Sequence, residues 1–448
     1  MQSADKSKSK RTLALEKRSK IWALRRFYRE LPLHPSLKFT ISMVFFRTLT
    51  LVKGIMAGPV PTAGRPNARS RKEKYKILVI GLVTPRPDRD AGSVRTVNFF
   101  RYLIDLGADI TFIPEQDLAY VAKHTPALER LGVRCLYFPK IWSVRNFIRK
   151  HMGEYDIVVL ERIAVADRYQ KIIRQNAHYV PIIFDTQDLH HLRVARQAEL
   201  SGSNRQRREA DRLKTMEYGA IRRADVTFVV SQYEQELIRA VAPDTAVEVI
   251  PLLVEPSPLD EAFDHRQGIL FLGGFHHPPN ADAVLHFAQH VWPVIENALP
   301  QSAFYVIGSD PPPEIQALQS DRIEIMGFVE NLEPILARCR ISVAPLRFGA
   351  GVKGKIATSL SHGLPCVASP LAIEGSGLTP EQDILLAEND EQFARQVIRL
   401  HEDKALWDRL SKNGVAFVAE NYSADAVRPK LQDLLDRLMK QKAARISA

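Results

Sequence analysis

The feature that most constrains the fold of this chain is an alternation of apolar strands and amphipathic helices that runs twice along the sequence. The first run begins at Lys76, where KILVIGL precedes a polar loop, the helical pattern VRTVNFFRYLIDLG and the strand DITFIP. A strand–helix–strand order requires a parallel sheet with right-handed crossovers. The same order restarts at Ile269, within GILFLGGF. The sequence therefore predicts an α/β protein with two doubly wound, Rossmann-like domains.

The expected domain boundaries follow from where these two runs begin. We predict a basic helical tail and linker over residues 1–74, an N-terminal domain over residues 75–265 and a C-terminal domain over residues 266–448. The last helices are candidates for packing back on the N-terminal domain. Ligands of doubly wound sheets bind beyond the carboxyl ends of the strands. Two such sheets that face each other form a central cleft, which suits a ligand with two parts.

The positive net charge of the chain belongs to the tail. Residues 1–74 contain 18 Lys and Arg against 4 Asp and Glu, whereas the rest of the chain contains 44 against 47. A nearly neutral body argues against a broad contact with a phosphate backbone, so we expect no nucleic-acid partner. The stretch TLALEKRSKIWALRRFYREL has the pattern of an amphipathic helix that lies on an anionic membrane. A solvated helical linker is an equal alternative.

Other features of the sequence bear on its cellular compartment. The apolar stretch KFTISMVFFRTLTLVKGIMAG contains Arg47 and Lys53, so we do not expect it to span a membrane. No signal-peptide pattern is visible. The three cysteines, Cys135, Cys339 and Cys366, are far apart and fit reduced core residues. We therefore expect a cytoplasmic protein, with peripheral attachment to the inner face of the plasma membrane if the tail binds lipid.

Two loops of the N-terminal domain carry candidate chemistry. In PRPDRDAGSVR, Gly92 and Ser93 precede a helix, so their backbone N–H groups can hold an anion, and Arg95 adds a cation. An ordinary helix cap is the alternative. In FDTQDLHHLR, an apolar strand leads into carboxylates and imidazoles of the kind that acid–base or sugar-binding sites need. Asp188 and His190 are the candidate catalytic residues, although the cluster can also cap the next helix.

Two loops of the C-terminal domain are candidates for donor binding. Gly273 and Gly274 follow the strand GILFL and permit close approach of a ligand to the backbone. In RFGAGVKGKI, three glycines, Gly351 among them, alternate with Lys353 and Lys355 just before a helix. Flexible backbone donors, a helix N-terminus and two cations are suited to hold a diphosphate, although the spacing is not that of a Walker A loop. We predict no metal ligands, because no second ligand cluster has suitable spacing.

Taken together, the strings GGFHHPPNADAV, RFGAGVKGKI and SHGLPCVASPLAIEG resemble the GT-B glycosyltransferases of the glycosyltransferase family 4 type, from about Lys76 to about Leu435. PDRDAGSVR and FDTQDLHHLR look like a subgroup from bacterial surface-polysaccharide loci. The resemblance implies a metal-independent hexosyltransferase without a cofactor. Such an enzyme moves a sugar from a nucleotide-sugar donor to a glycan or lipid-linked acceptor with retention.

The resemblance also implies residue roles and shows where this chain departs from the family. Thr358 and Glu374 fall in the segment that lies beside the donor. Family members often carry two glutamates separated by seven residues, and here those positions are Ala350 and Thr358. Gln187 stands where histidine is common. These departures favour a catalytically inactive GT-B module that binds glycan or partner enzymes, whereas the retained glycine-lysine loop favours an active transferase.

Overall fold

The structure is a computed structural model of the 448-residue chain and describes residues 74–116 and 118–447. The predicted amphipathic helix of the tail lies outside the described residues. The described chain forms two parallel β-sheets that are covered by helices. This arrangement confirms the predicted α/β class with two Rossmann-like sheets.

The first sheet has seven parallel strands in the order β3-β2-β1-β4-β5-β6-β7. Its strands are β1 (Tyr75–Gly81), β2 (Ala108–Pro114), β3 (Arg134–Cys135), β4 (Ile157–Glu161), β5 (Ile182–Asp185), β6 (Val226–Val229) and β7 (Val247–Val249). The helices between them are α1 (Ala91–Asp105), α2 (Thr125–Arg130), α3 (Val144–His151), α4 (Ile163–Asn176), α5 (His190–Ser201), α6 (Asn204–Arg223) and α7 (Gln232–Val241).

The second sheet has six parallel strands in the order β10-β9-β8-β11-β12-β13. Its strands are β8 (Gly268–Leu272), β9 (Phe304–Ile307), β10 (Ile323–Gly327), β11 (Cys339–Ala344), β12 (Cys366–Ala368) and β13 (Leu385–Leu386). The helices of this half are α8 (Pro278–His286), α9 (Trp292–Ala298), α10 (Pro313–Gln316), α11 (Glu333–Arg338), α12 (Gly354–Ser361), α13 (Pro370–Ile373), α14 (Asp390–Glu402), α15 (Lys404–Asn421) and α16 (Ala424–Ser447).

The central strands of both sheets are buried on both faces, which explains their composition. Every residue of β4, β5 and β8 is buried. A parallel sheet with helices on both faces needs strands that are apolar at successive positions, and IVVL and GILFL satisfy this. Polar side chains appear only where these strands end, at Glu161 and Asp185 in the first sheet. These ends mark the edge at which a site forms.

The last helix returns to the first sheet. The side chains of α16 that face inward belong to the same apolar cluster as β1 and α1, and they are Val427, Leu431, Leu434, Leu435 and Leu438. The Tyr75 hydroxyl donates a hydrogen bond of 2.6 Å to Asp436. The chain therefore passes from the second sheet back to the first, and this crossing couples the two halves.

Two further observations concern the described residues as a whole. The three cysteines are buried and form no disulfide, as the sequence predicts. Within residues 74–116 and 118–447, every helix is too short or too polar to cross a bilayer.

Candidate functional site

Loops from the carboxyl edges of the two sheets face each other and meet, and we call the region where they meet the cleft. A methyl group on Gly354 would lie 2.2 Å from the Ala91 Cβ, and one on Gly351 would lie 3.3 Å from the Asp188 Cβ. The N-terminus of α12 therefore abuts the N-terminus of α1. Gly351 also has a φ of +70°, which an L side chain rarely adopts. Glycine at these positions lets the two halves of the chain approach each other.

Ion pairs tie the two sides of this cleft together. Arg196 on α5 donates a hydrogen bond of 2.8 Å to the Gly349 carbonyl and forms an ion pair of 2.7 Å with Glu374. Lys123 lies 2.9 Å from both Asp88 and Glu330 and forms a second bridge. Glu374, which the resemblance places beside the donor, therefore holds the cleft closed through Arg196.

Asp188 lies where the two sides of the cleft meet, and its carboxylate contacts His190 and Arg193. Its carboxylate lies 2.9 Å from the His190 Nε2 atom and accepts a hydrogen bond of 3.1 Å from Arg193. Desolvation alone would raise the pKa of Asp188, but His190, Arg193 and Arg162 outweigh it and hold the pKa below its usual range. Asp188 therefore stays ionised at neutral pH, which suits a charge-stabilising role better than proton abstraction.

A buried carboxylate orients the segment that carries Asp188 and His190. Glu217 on α6 accepts hydrogen bonds from the backbone N–H groups of His190 (2.8 Å) and His191 (3.1 Å). The His191 Nδ1 atom lies 2.5 Å from the same carboxylate. Glu217 thus caps α5 from a neighbouring helix, and His191 has a structural role. Glu217 could not be recognised from the sequence, because nothing in the chain marks a cap that comes from another helix.

Ser93 is already engaged at the start of α1. Asp90 caps this helix, since the Ser93 N–H donates to it at 2.7 Å and the Ser93 hydroxyl donates at 2.8 Å. The anion donors that the sequence predicts at Ser93 are therefore used inside the protein. Gly92 is closely surrounded, since a methyl group there would lie 3.3 Å from Asp90 Oδ1, 3.3 Å from Gln187 Oε1 and 3.4 Å from Arg162 Nη2.

Arg95 differs from its predicted role. Its side chain is buried, pairs with Asp185 at 2.6 Å and donates to the carbonyls of Pro251 (3.2 Å) and Ile250 (3.1 Å). These contacts tie β5 to the segment after β7, on the inner side of the first sheet. We therefore assign Arg95 a structural role, in contrast to the donor-binding role that the sequence predicts. An arginine in an exposed-looking loop sequence gives no sign of a buried partner 90 residues away.

Two residues with unusual backbone conformations stand at the ends of β4 and β5. Arg162 has φ +70° and ψ 152°, and Gln187 has φ +60°. Side chains other than glycine reach such regions at a cost on the order of 1–3 kcal/mol, and these conformations cluster at functional sites. The Arg162 Nε atom donates to Gln187 Oε1 at 2.8 Å, and Gln187 donates to the Thr96 hydroxyl at 3.2 Å. The cleft therefore contains a strained pair that no sequence motif revealed.

Behind this pair lies a buried acid. The Thr96 hydroxyl donates to Glu161 at 2.9 Å. Burial, with the nearby charge of Asp185, raises the pKa of Glu161 to about 7. A second buried carboxylate, Glu234, has its pKa raised to about 7 by burial. Both acids are buried, and Glu234 accepts hydrogen bonds from the backbone N–H groups of Leu189 (3.3 Å) and Val230 (3.2 Å).

The glycine-lysine loop brings two lysines to the C-terminal side of the cleft. The Lys353 ammonium donates to the carbonyls of Ala350, at 3.1 Å, and Gly351. The Lys355 ammonium donates to Asn280 Oδ1 at 2.6 Å and lies 4.1 Å from the centroid of the Phe271 ring. Desolvation lowers the pKa of Lys353 to about 8, with help from Arg196. Desolvation and Lys353 lower the pKa of Lys355 to about 7.

The predicted residues of the second domain support these lysines. A methyl group on Gly273 would lie 2.7 Å from the Asn280 side chain, so the glycine makes room for the partner of Lys355. Gly274 faces the Arg89 carbonyl, 3.4 Å from the position of a methyl group. Thr358 lies three residues after Lys355 on α12, on the same helix face.

The last two features of the site are the His277 imidazole and the lack of a metal-binding cluster among the described residues. His277 lies near Arg193, and desolvation together with this cation lowers its pKa to about 4, so it is neutral at physiological pH. No set of three or more His, Cys, Asp or Glu side chains within the described residues is arranged to hold a metal ion.

The comparisons with known proteins agree with this geometry. The family described as "Glycosyl transferases group 1" matches residues 266–403, which include the glycine-lysine loop. An uncharacterized 44.6 kDa protein in the cps region of Klebsiella pneumoniae is 22% identical over 187 residues, covering 40% of this chain and 48% of that protein. The chain thus spans about half the length of the curated relative that it matches.

Solved structures resemble the whole described fold. Sucrose-phosphate synthase from Thermosynechococcus elongatus matches with a TM-score of 0.63 at 16% identity, over 82% of this chain and 99% of that one. HepE from Anabaena, in complex with UDP-glucose, matches with a TM-score of 0.60 at 14% identity, over 81% and 100%. A glycosyltransferase from Rickettsia africae gives 0.58 at 12% identity, over 82% and 99%. The described chain therefore adopts the GT-B fold, and its residues 266–403 match the family described as "Glycosyl transferases group 1".

Proposed function

We propose that this protein is a glycosyltransferase that moves a sugar, with retention, from a nucleotide-sugar donor to a glycan or lipid-linked acceptor of the cell surface. The observation that carries the proposal is the position of Lys353 and Lys355. Both lie at the N-terminus of α12, opposite Asp188, and among the described residues neither forms an ion pair. The group 1 family match over residues 266–403 supports the reaction class.

The chemistry follows from the charges on the two sides of the cleft. The bond between the anomeric carbon and the diphosphate oxygen breaks, and the negative charge on the leaving diphosphate grows. Lys353, Lys355 and the N-terminus of α12 stabilise that charge. The acceptor hydroxyl then bonds to the anomeric carbon on the same face, and its proton passes to a donor phosphate oxygen. The ionised Asp188 stabilises the positive charge that develops on the sugar.

The similar proteins indicate that uridine nucleotides are the first donors to test. HepE from Anabaena was solved with UDP and with UDP-glucose, and the Klebsiella relative is named for its cps region. We propose a nucleotide-sugar donor of this kind and a role in surface-polysaccharide biosynthesis.

A panel of UDP-, GDP-, dTDP- and ADP-sugars tests the proposal by thermal shift and then by transfer. A ligand that binds only the native state adds about 2.7 kcal/mol of stability at about 100 times its Kd. We expect one nucleotide class to raise the melting temperature and to give product with the anomeric configuration of the donor. If no member of the panel raises the melting temperature, the proposal is wrong.

The replacement of two family glutamates by Ala350 and Thr358 favours a second candidate, a non-catalytic GT-B module. Such a module binds a nucleotide or glycan without turning it over. The same panel distinguishes the active transferase from the non-catalytic module. The module gives a thermal shift, but it neither transfers the sugar to any acceptor nor hydrolyses the nucleotide-sugar.

We also propose that residues 1–74 attach the protein to the inner face of the plasma membrane. The segment contains 18 of the 62 basic residues of the chain, and the first strand begins after it, at Tyr75. Deletion of residues 1–74 is expected to leave the two sheets folded and to abolish sedimentation with phosphatidylglycerol vesicles. Sedimentation of the shortened protein with these vesicles would contradict the assignment.

A further inference from the structure

We propose that Arg162 binds the sugar-bearing phosphate of the donor from the N-terminal side of the cleft. The inference rests on the proposed function and deepens it, because it names a donor contact in the domain that faces the nucleotide-binding one. Arg162 takes the anion-binding role that the sequence predicts for Arg95, because the Arg95 guanidinium is buried against Asp185.

The backbone of Arg162 has an unusual conformation. Its φ of +70° and ψ of 152° fall in a region that glycine alone adopts readily. The residue lies directly after β4, where the strand ends at the cleft, and its N–H donates to the Asp185 carbonyl at 2.8 Å. A glycine would serve a purely structural turn here without strain. The presence of an arginine side chain in this conformation indicates that its position matters.

The contacts of Arg162 differ from those of three neighbouring arginines. Arg95 contacts Asp185, Arg193 contacts Asp188 and Arg196 contacts Glu374. In contrast, the Arg162 Nε atom donates to the neutral amide oxygen of Gln187. Within the described residues no carboxylate lies at ion-pairing distance from Arg162. Its terminal nitrogens therefore lack the carboxylate partner that these three arginines have.

The Arg162 guanidinium also lies close to the start of α1. A methyl group on Gly92 would lie 3.4 Å from Arg162 Nη2 and 3.3 Å from Asp90 Oδ1. The neighbouring Ala91 touches Gly354, the first residue of α12. Arg162 and the glycine-lysine loop therefore both lie near the start of α1. A diphosphate bound beside this helix end presents one phosphate to the lysines and the other, which bears the sugar, to Arg162.

The test compares Arg162→Gln with the wild type for UDP and UMP by calorimetry. The lost charge-assisted contact is expected to weaken UDP binding by about 10–100-fold. UMP lacks the second phosphate, so its affinity is expected to stay within about threefold of wild type. The matched control is Arg101→Gln, on the exposed face of α1, which is expected to change neither affinity. An equal loss for UDP and UMP would overturn the assignment to the sugar-bearing phosphate.

A second variant separates binding from folding. Arg162→Gly removes the side chain and relieves the backbone strain, so its melting temperature is expected to equal or exceed that of the wild type while UDP binding falls as in Arg162→Gln. Wild-type UDP affinity in both variants would overturn the role of Arg162. A wild-type protein that binds no nucleoside diphosphate of the panel would instead overturn the proposed function.

Discussion

The two sides of the cleft use their cations differently. On the N-terminal side, Arg95, Arg193 and Arg196 each form an ion pair with a carboxylate of the protein. On the C-terminal side, Lys353 and Lys355 donate to carbonyl and amide oxygens and form no ion pair among the described residues, and desolvation lowers the pKa of both. A desolvated cation without a counterion is costly until an anion arrives. The comparison therefore separates cations that hold the fold from cations that are available to a ligand.

Under the proposed function, the difference also separates the roles of these cations in catalysis. Arg193 fixes Asp188 and Arg196 bridges the two sides of the cleft, so both set geometry. In the proposed reaction the lysines, which lack a carboxylate partner, stabilise the charge that grows on the leaving diphosphate. Three variants test this division: one changes the lysines, one the central carboxylate and one the bridge between the two sides.

The largest effect is expected for the double substitution Lys353→Met and Lys355→Met. A charge-assisted hydrogen bond contributes about 1.5–3 kcal/mol, so each change is expected to weaken nucleoside diphosphate binding by about 10–100-fold. Transfer is expected to fall further, because the charge on the leaving group grows in the transition state. Calorimetry with UDP measures the binding loss.

The control for this pair is Lys404→Met, which removes an exposed lysine that pairs with Asp408 on α15. It is expected to leave UDP affinity unchanged. The single variants need not be equal, since Lys355 contacts Asn280 and Lys353 contacts its own loop. Wild-type affinity in the double variant would mean that the loop is an ordinary turn.

A smaller and different effect is expected for Asp188→Asn. The amide keeps the volume of the side chain but removes the charge, so transfer is expected to fall by about 100-fold. UDP affinity is expected to stay within about threefold, because the diphosphate contacts lie on the lysine side. Initial rates with a saturating donor measure the change, and Asp211→Asn on the exposed face of α6 is the control. Near wild-type turnover would exclude Asp188 from a catalytic role and leave His190 as the candidate.

The smallest effect is expected for Glu374→Gln, which breaks the bridge to Arg196. The pair is only partly buried, with side chains 14% and 28% exposed, so its loss is expected to weaken UDP binding by about two- to fivefold. Glu391→Gln removes the exposed partner of Arg395 within α14 and serves as the matched control with no expected change. A loss of more than about 100-fold would place Glu374 in direct contact with the donor.

The sequence could predict the two sheets because their strands are continuous apolar runs between amphipathic helices. It could also find the glycine-lysine loop, since glycines, lysines and a helix start are local features. The sequence could not predict the contacts of this loop, because Asn280 approaches Lys355 only once the second sheet has folded. The role of Glu217 could not be predicted for the same reason, because Glu217 lies on α6 and caps a different helix, α5.

Arg95 and Arg162 illustrate the limit more sharply. In the sequence, Arg95 follows a glycine-serine turn and looks available to an anion, whereas Arg162 ends a strand and looks ordinary. The fold reverses these roles, because Asp185 on β5 captures Arg95 while the backbone at Arg162 takes a conformation that local propensity disfavours. Local chemistry indicates which loops form the site but not which cations in them are already paired.

The most direct test of the central claim is calorimetry of UDP binding to the wild-type protein at about pH 8, in two buffers with different enthalpies of ionisation. The pKa of Lys355 is about 7 and that of Lys353 about 8, so at this pH the first is mostly neutral and the second about half charged. A bound diphosphate favours the charged lysines and raises both pKa values, whereas the nucleotide phosphate, with a pKa of about 6, is already ionised. We expect uptake of about one proton per UDP, and an affinity that falls by up to about tenfold per pH unit above this range for each proton taken up. Binding without proton uptake, or equal uptake in the Lys353→Met and Lys355→Met double variant, would contradict the claim that these lysines await the donor diphosphate.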